Sequence, residues 1–133
     1  MIEARCQCGQ LRATVAGPSE ALVVCHCSAC QRRSGAPFGV LAYYPATEVT
    51  ITGEATRFSR DTDAGREYVT GFCPACGTSL YGFTASMPER IGIATGAFEP
   101  ADQPAPHRSV WEENRHSWVA MPANIPRFPK GRR

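Results

Sequence analysis

The chain of 133 residues has room for one ordinary domain, and 43% hydrophobic with 20% charged residues is the composition of a folded protein, which excludes wholesale disorder. A formal charge of +2, from 14 Lys+Arg against 12 Asp+Glu, is too mild to point to nucleic acid or an anionic membrane as partner. Seven cysteines, an odd number, exclude an intramolecular disulfide set that uses every sulfur.

The opening residues MIEARCQCGQ contain no apolar segment of the secretory type, and no apolar run approaches the ~18 residues of a membrane span. The expectation is a soluble, cytoplasmic protein with no membrane partner, in a compartment where thiols stay reduced. Residues 10–16 alternate Leu11, Ala13 and Val15 with Arg12, Thr14 and Ala16, the period of a half-buried strand, which Gly17-Pro18 ends. A second strand is expected at 21–25. A short helix is expected from Ser28, stopped by Gly35 and Pro37. Strands follow at 38–44 and 48–52, and 56–59 is expected to pair with the latter across Gly53. Residues 61–65 form a polar loop, and 66–72, 79–83 and 91–98 are three further β-prone stretches. The segment 99–106, EPADQPAP, reads as an extended connector. The tail 107–129, with Trp111, Trp118 and Phe128, is expected to pack back on the domain and leave only KGRR free. Short strands with frequent Gly and Pro predict a mainly β fold in a single domain over 1–133.

The cysteines fall in three groups: Cys6-x-Cys8-Gly9, Cys25-x-Cys27-x-x-Cys30 and Cys73-x-x-Cys76-Gly77. Residues i and i+2 of a strand share a face, so the first two spacings aim pairs of sulfurs at one point. In the third, Pro74 pre-sets a turn and Gly77 permits a positive φ, which is a zinc-knuckle spacing. The rival reading, a redox dithiol at a helix N-terminus, meets a β-prone segment after Cys76 instead of a helix. A structural zinc takes four ligands, and a catalytic zinc keeps three with one place open. Seven ligands therefore divide into Cys6, Cys8, Cys73 and Cys76 closing a structural zinc between remote parts of the chain, and the local triplet Cys25, Cys27 and Cys30 forming the open site. Two zinc ions per chain are expected, with iron as the competing metal.

Three thiolates leave a divalent zinc with net negative charge, a poor activator of water. A soft substrate thiol fills the fourth place better, which points to carbon-sulfur bond formation or cleavage. The other reading is a zinc-stapled protein- or nucleic-acid-binding module without catalysis. Such a module needs no open metal position and would show a basic, aromatic-interleaved stripe that this sequence lacks.

Cys6-Gln7-Cys8-Gly9, CHCSACQRRSGAPF from Cys25 to Phe38 and FCPACGTSLY from Phe72 to Tyr81 resemble the glutathione-dependent formaldehyde-activating enzyme family, the zinc domain of the centromere protein V type. The tail with Trp111, Glu113, Arg115, Trp118 and IPRFP is similar to the family's ending, so the resemblance spans nearly the whole chain. It implies a β-tent fold of small antiparallel sheets with zinc knuckles, and a carbon-sulfur lyase that joins glutathione and formaldehyde as S-(hydroxymethyl)glutathione. It also implies the same division of ligands, structural for Cys6, Cys8, Cys73 and Cys76 and catalytic for Cys25, Cys27 and Cys30. Gln31 stands where relatives often carry Arg, and Arg32 and Arg33, which follow, are candidates to grip a carboxylate of a glutathione-like substrate. His26, between two ligands, is expected to turn away from the metal into a supporting or surface role, and His107 and His116 are expected at the surface. Phe38, Tyr43 and Tyr44 are expected to build the core.

Overall fold

The structure, a computed structural model, describes residues 1–62, 65–99 and 103–131. The fold is mainly β. Its strands are β1 (Ile2–Arg5), β2 (Arg12–Val15), β3 (Ala21–Cys25), β4 (Gly39–Pro45), β5 (Thr50–Thr52), β6 (Thr56–Asp61), β7 (Glu67–Phe72), β8 (Ser79–Thr84), β9 (Arg90–Ala94), β10 (Phe98–Glu99) and β11 (Arg108–Val110). A single short helix, α1 (Ser28–Ser34), stands among the described residues, ended by Gly35 in the left-handed conformation at φ 67°. None is long and apolar enough to cross a membrane.

One sheet runs β10-β1-β2-β5 and the other β11-β3-β4-β9-β8-β7-β6. Neighbours are antiparallel except β11, which lies parallel to β3. Strand alternation sends Ala13 and Val15 of β2, Leu22 of β3, Ala42 and Tyr44 of β4 and Ile93 of β9 into one core. The Tyr44 and Phe98 rings meet there at 6.3 Å between centroids, one from each sheet. The opposite face of the larger sheet carries Cys25, Tyr43, Gly92, Gly82, Tyr68 and Arg60, and the candidate site is built on that face.

Three expectations change. The stretches 48–52 and 56–59 do not form a hairpin: Arg12 pairs with Thr52, whereas Thr56 pairs with Phe72, so the chain leaves one sheet for the other at Gly53. Gln10 fastens that crossing, since its side-chain amide donates to the Glu54 carbonyl at 2.7 Å and accepts from the Glu54 N–H at 3.0 Å. The stretch 91–98 is likewise split, because a 3₁₀ turn at Thr95–Ala97 carries the chain from β9 to β10 in the other sheet. Of the three aromatic residues expected in the core, only Tyr44 is fully buried there; Tyr43 points to the opposite face by strand alternation, and Phe38 lines a surface groove. The expected loop at 61–65, connector at 99–106 and free end each include positions outside the described residues, namely 63–64, 100–102 and 132–133. After β11 the chain returns alongside it, with the Ser109 N–H donating to the Pro126 carbonyl at 3.0 Å and the Phe128 N–H to the Ser109 carbonyl at 3.0 Å.

Candidate metal centre

The seven cysteines gather into two groups, Cys6 with Cys8, Cys73 and Cys76, and Cys25 with Cys27 and Cys30; within each, all sulfurs lie within 4.8 Å of one another. None is in a disulfide. Both groups are able to hold a metal ion. All seven donors are soft sulfur, a set that fits zinc.

The first group is made by two turns of the same pattern. The Gly9 N–H donates to the Cys6 carbonyl at 3.0 Å and the Cys6 N–H to the Leu11 carbonyl at 3.0 Å; the Gly77 N–H donates to Cys73 at 2.8 Å and the Cys73 N–H to Thr78 at 2.9 Å. Gly9 and Gly77 sit at φ 83° and 80°, which side-chain-bearing residues rarely adopt. Cys6 and Cys8 therefore converge by a turn past the end of β1, not by the strand alternation expected from their spacing. The Gln7 N–H donates to the Thr78 hydroxyl at 3.1 Å and so ties the two turns together. Backbone and side-chain donors converge on the sulfurs: Leu11 N–H on Cys6 at 3.3 Å and the Gln10 amide on Cys73 at 3.0 Å. The Thr78 hydroxyl is the chief cause that lowers the Cys76 thiol to about 5, in favour of the thiolate a metal needs.

The second group stands at a strand-to-helix junction. Cys25 ends β3 and Cys27 caps α1 in extended geometry, its sulfur accepting from the Cys30 N–H at 3.4 Å. Hydrogen bonds from Cys25, then Cys30, draw the Cys27 thiol down to about 2, while the same Cys27 contact pushes Cys25 up. The three thiols titrate as one linked set, and a cation among them would favour their ionised forms.

His26 turns away from the sulfurs as expected, but it is fully buried and not at the surface. Its Nε2 meets the Ser109 hydroxyl at 2.9 Å, and that hydroxyl donates to Glu112 at 2.6 Å. Burial lowers the His26 pKa and keeps the ring neutral. Arg127 grips Glu112 with two nitrogens at 3.0 and 2.7 Å and is the chief cause that holds the Glu112 carboxyl at about 2. Gln31 makes a second link to the tail: its amide donates to the His26 carbonyl at 2.8 Å and pairs with His116 at 2.8 Å. His116 and His107 are both exposed, and the Nδ1 of His107 accepts from the Leu22 N–H at 2.9 Å.

The triplet opens into a cavity of about 370 Å³ whose walls include Arg33, Tyr43, Arg60 and Tyr68. An adjoining cavity of about 440 Å³ shares Cys30, Arg33, Arg60 and Tyr68 and adds Arg32 and Phe58. A wider groove of about 730 Å³ runs from Cys6 and Cys76 to Arg33, but no sulfur of the triplet lines it. Of the two arginines singled out by sequence, Arg33 thus reaches both cavities beside the triplet and exposed Arg32 only the outer one. Gly39, opposite Cys25 in the ladder, makes room for Arg33, because a Cβ there would collide with the guanidinium. The Nη2 of Arg33 is buried and has no hydrogen-bond partner among the described residues. Arg60, Tyr68 and Glu112 escaped the sequence reading, and Tyr43, expected in the core, stands at this wall instead. Strand register alone brings Arg60, Tyr43 and Tyr68 to the cysteines, and no local spacing marks them.

No curated protein matches this sequence. A crystal structure of a Rhodobacter sphaeroides protein, a structural genomics target, shares the fold with a TM-score of 0.60 and 21% identity, over 75% of this chain and 90% of that one. The profile of the glutathione-dependent formaldehyde-activating enzyme family matches residues 1–114, a stretch that holds all seven cysteines, both arginines beside the triplet and Glu112. The chain belongs to the glutathione-dependent formaldehyde-activating enzyme family.

Proposed function

We propose that the protein is a zinc-dependent carbon-sulfur lyase that adds a small thiol to an aldehyde, with glutathione and formaldehyde as the pair. The observation that carries this reading is the three-sulfur group opening onto a cavity walled by cations, beside a four-sulfur group that needs no further ligand. Cys6, Cys8, Cys73 and Cys76 would hold the structural zinc, and Cys25, Cys27 and Cys30 the catalytic one. Zinc at the triplet supplies a soft, unsaturated centre that keeps a substrate thiol ionised at neutral pH.

The chain's own residues bind and orient the substrate. Glutathione carries two carboxylates, and Arg33 and Arg60 present guanidinium groups to the cavity that holds the sulfurs. The Nη2 of Arg33, buried without a hydrogen-bond partner among the described residues, gives one carboxylate a donor whose desolvation they leave uncompensated. Arg32 lies at the outer cavity, where it adds charge but no enclosure. The His26-Ser109-Glu112 chain ties the residue between Cys25 and Cys27 to the tail and so helps to orient the triplet.

The test is two-dimensional exchange NMR on an equilibrium mixture of glutathione, formaldehyde and their adduct, with and without zinc-loaded protein. The expected result is faster exchange with protein, abolished in Cys27→Ser. Exchange that the protein leaves unchanged would overturn the reading.

A further inference from the structure

Tyr43 and Tyr68 lie 25 residues apart in sequence, yet their hydroxyls meet at 3.2 Å. The sheet explains how. Tyr43 on β4 pairs with Gly92 on β9, and Gly92 pairs with Gly82 on β8, so two successive strands present bare backbone on this face. The Tyr43 ring covers Gly92, where a Cβ would stand 2.9 Å from the ring, and the Tyr68 hydroxyl covers Gly82, where a Cβ would stand 2.6 Å from it. The two glycines form a trough in which the rings lie down and bring their hydroxyls together.

Both rings also line the cavity of Cys25, Cys27 and Cys30. We infer that the Tyr43-Tyr68 hydroxyl pair is the proton donor and acceptor for the aldehyde oxygen, an inference that rests on the carbon-sulfur reading above. The substrate thiol releases its proton to solvent as it becomes a thiolate. Its sulfur pair then forms the bond to the aldehyde carbon, and the C=O π pair moves onto oxygen. One tyrosine hydroxyl gives its proton to that oxygen and yields the S–CH₂–OH product. The second tyrosine returns a proton to the first and recovers its own from solvent, so the sum is R–SH plus H₂C=O giving R–S–CH₂–OH. The reverse direction uses the same pair as base and acid.

Two features favour this pair over the other polar groups of the wall. Arg33 and Arg60 hold their protons throughout, so they bind charge but do not exchange protons. Burial raises the pKa of both phenols, so each enters the cycle as a neutral donor. Arg60 also stacks on Tyr68, with 6.0 Å between its Cζ and the ring centroid, which steadies that ring and offers a positive charge to a transient phenolate.

Tyr68→Phe and Tyr43→Phe keep the rings in the trough and delete only the hydroxyls. In the zinc-loaded protein each is expected to slow thiol-aldehyde exchange by about 100-fold. The double variant should be no slower than the slower single, because the two act as one relay. Zinc content and glutathione affinity, measured by calorimetry without aldehyde, should stay within about twofold of the parent in each variant. Tyr44→Phe, whose hydroxyl contacts the Gly17 carbonyl in the core, is the control with unchanged exchange. Full activity in both single variants, or a parallel loss of glutathione binding, would overturn the relay and leave the carbon-sulfur reading standing. No exchange catalysis by the zinc-loaded parent would overturn both.

Discussion

Glu112 accepts from Ser109 and from two nitrogens of Arg127 while Arg115 stands 3.4 Å away, so one carboxylate anchors the tail beside the segment that carries the cysteine triplet. Glu112→Gln keeps the shape but removes the charge that both guanidinium groups face, and a loss of about 2 kcal/mol is expected in urea unfolding at pH 7. An unchanged midpoint would show the network to be incidental. Arg33 makes the opposite kind of prediction, since its buried Nη2 has no hydrogen-bond partner to lose among the described residues. Arg33→Met should raise the KM for glutathione about tenfold and leave kcat within about threefold, as measured by exchange rates across thiol concentration. The two cysteine pairs and the triplet were legible in the sequence because turns and caps a few residues long bring their sulfurs together, and the count of seven then left the two remote pairs to meet each other. Tyr43, Arg60, Tyr68 and Glu112 were not legible, because each meets its partners only through pairing across the sheet or the return of the tail.

At the scale of elements, the strands were readable from alternation and the helix from its stop, since Gly35 is its left-handed cap and Pro37 follows. What escaped was which sheet each strand joins. At Gly53, φ is 93° and a Cβ would collide with the backbone carbonyl of Gln10, so the crossing between sheets requires glycine there. Alternation reports which face a residue shows, but it carries no information on the partner strand. Gly53→Ala should therefore cost about 2–3 kcal/mol, read as a lowered urea midpoint. The same substitution at Gly17, where nothing lies within 4 Å of the added Cβ, should cost little. Equal effects at the two sites would contradict the role assigned to the crossing.

For the whole molecule, the two sulfur groups have different structural weight. The four-sulfur group joins the β1-β2 turn to the β7-β8 turn, so it links the two sheets, whereas the triplet lies within one strand-helix junction of the larger sheet. Loss of the structural metal should unfold the protein, and loss of the other should leave a folded chain that no longer binds thiol. Circular dichroism through a chelator titration is expected to show thiol binding vanish before the β signal does; simultaneous loss would mean that one metal serves both roles. The odd number of cysteines noted at the outset becomes, in the structure, one group of four sulfurs that joins the two sheets and one group of three beside a cavity. The most direct test is zinc per folded chain, measured under reducing, zinc-replete conditions on the parent and on Cys27→Ser. The account predicts about two zinc ions in the parent and about one in a still folded variant; about one in both would contradict it.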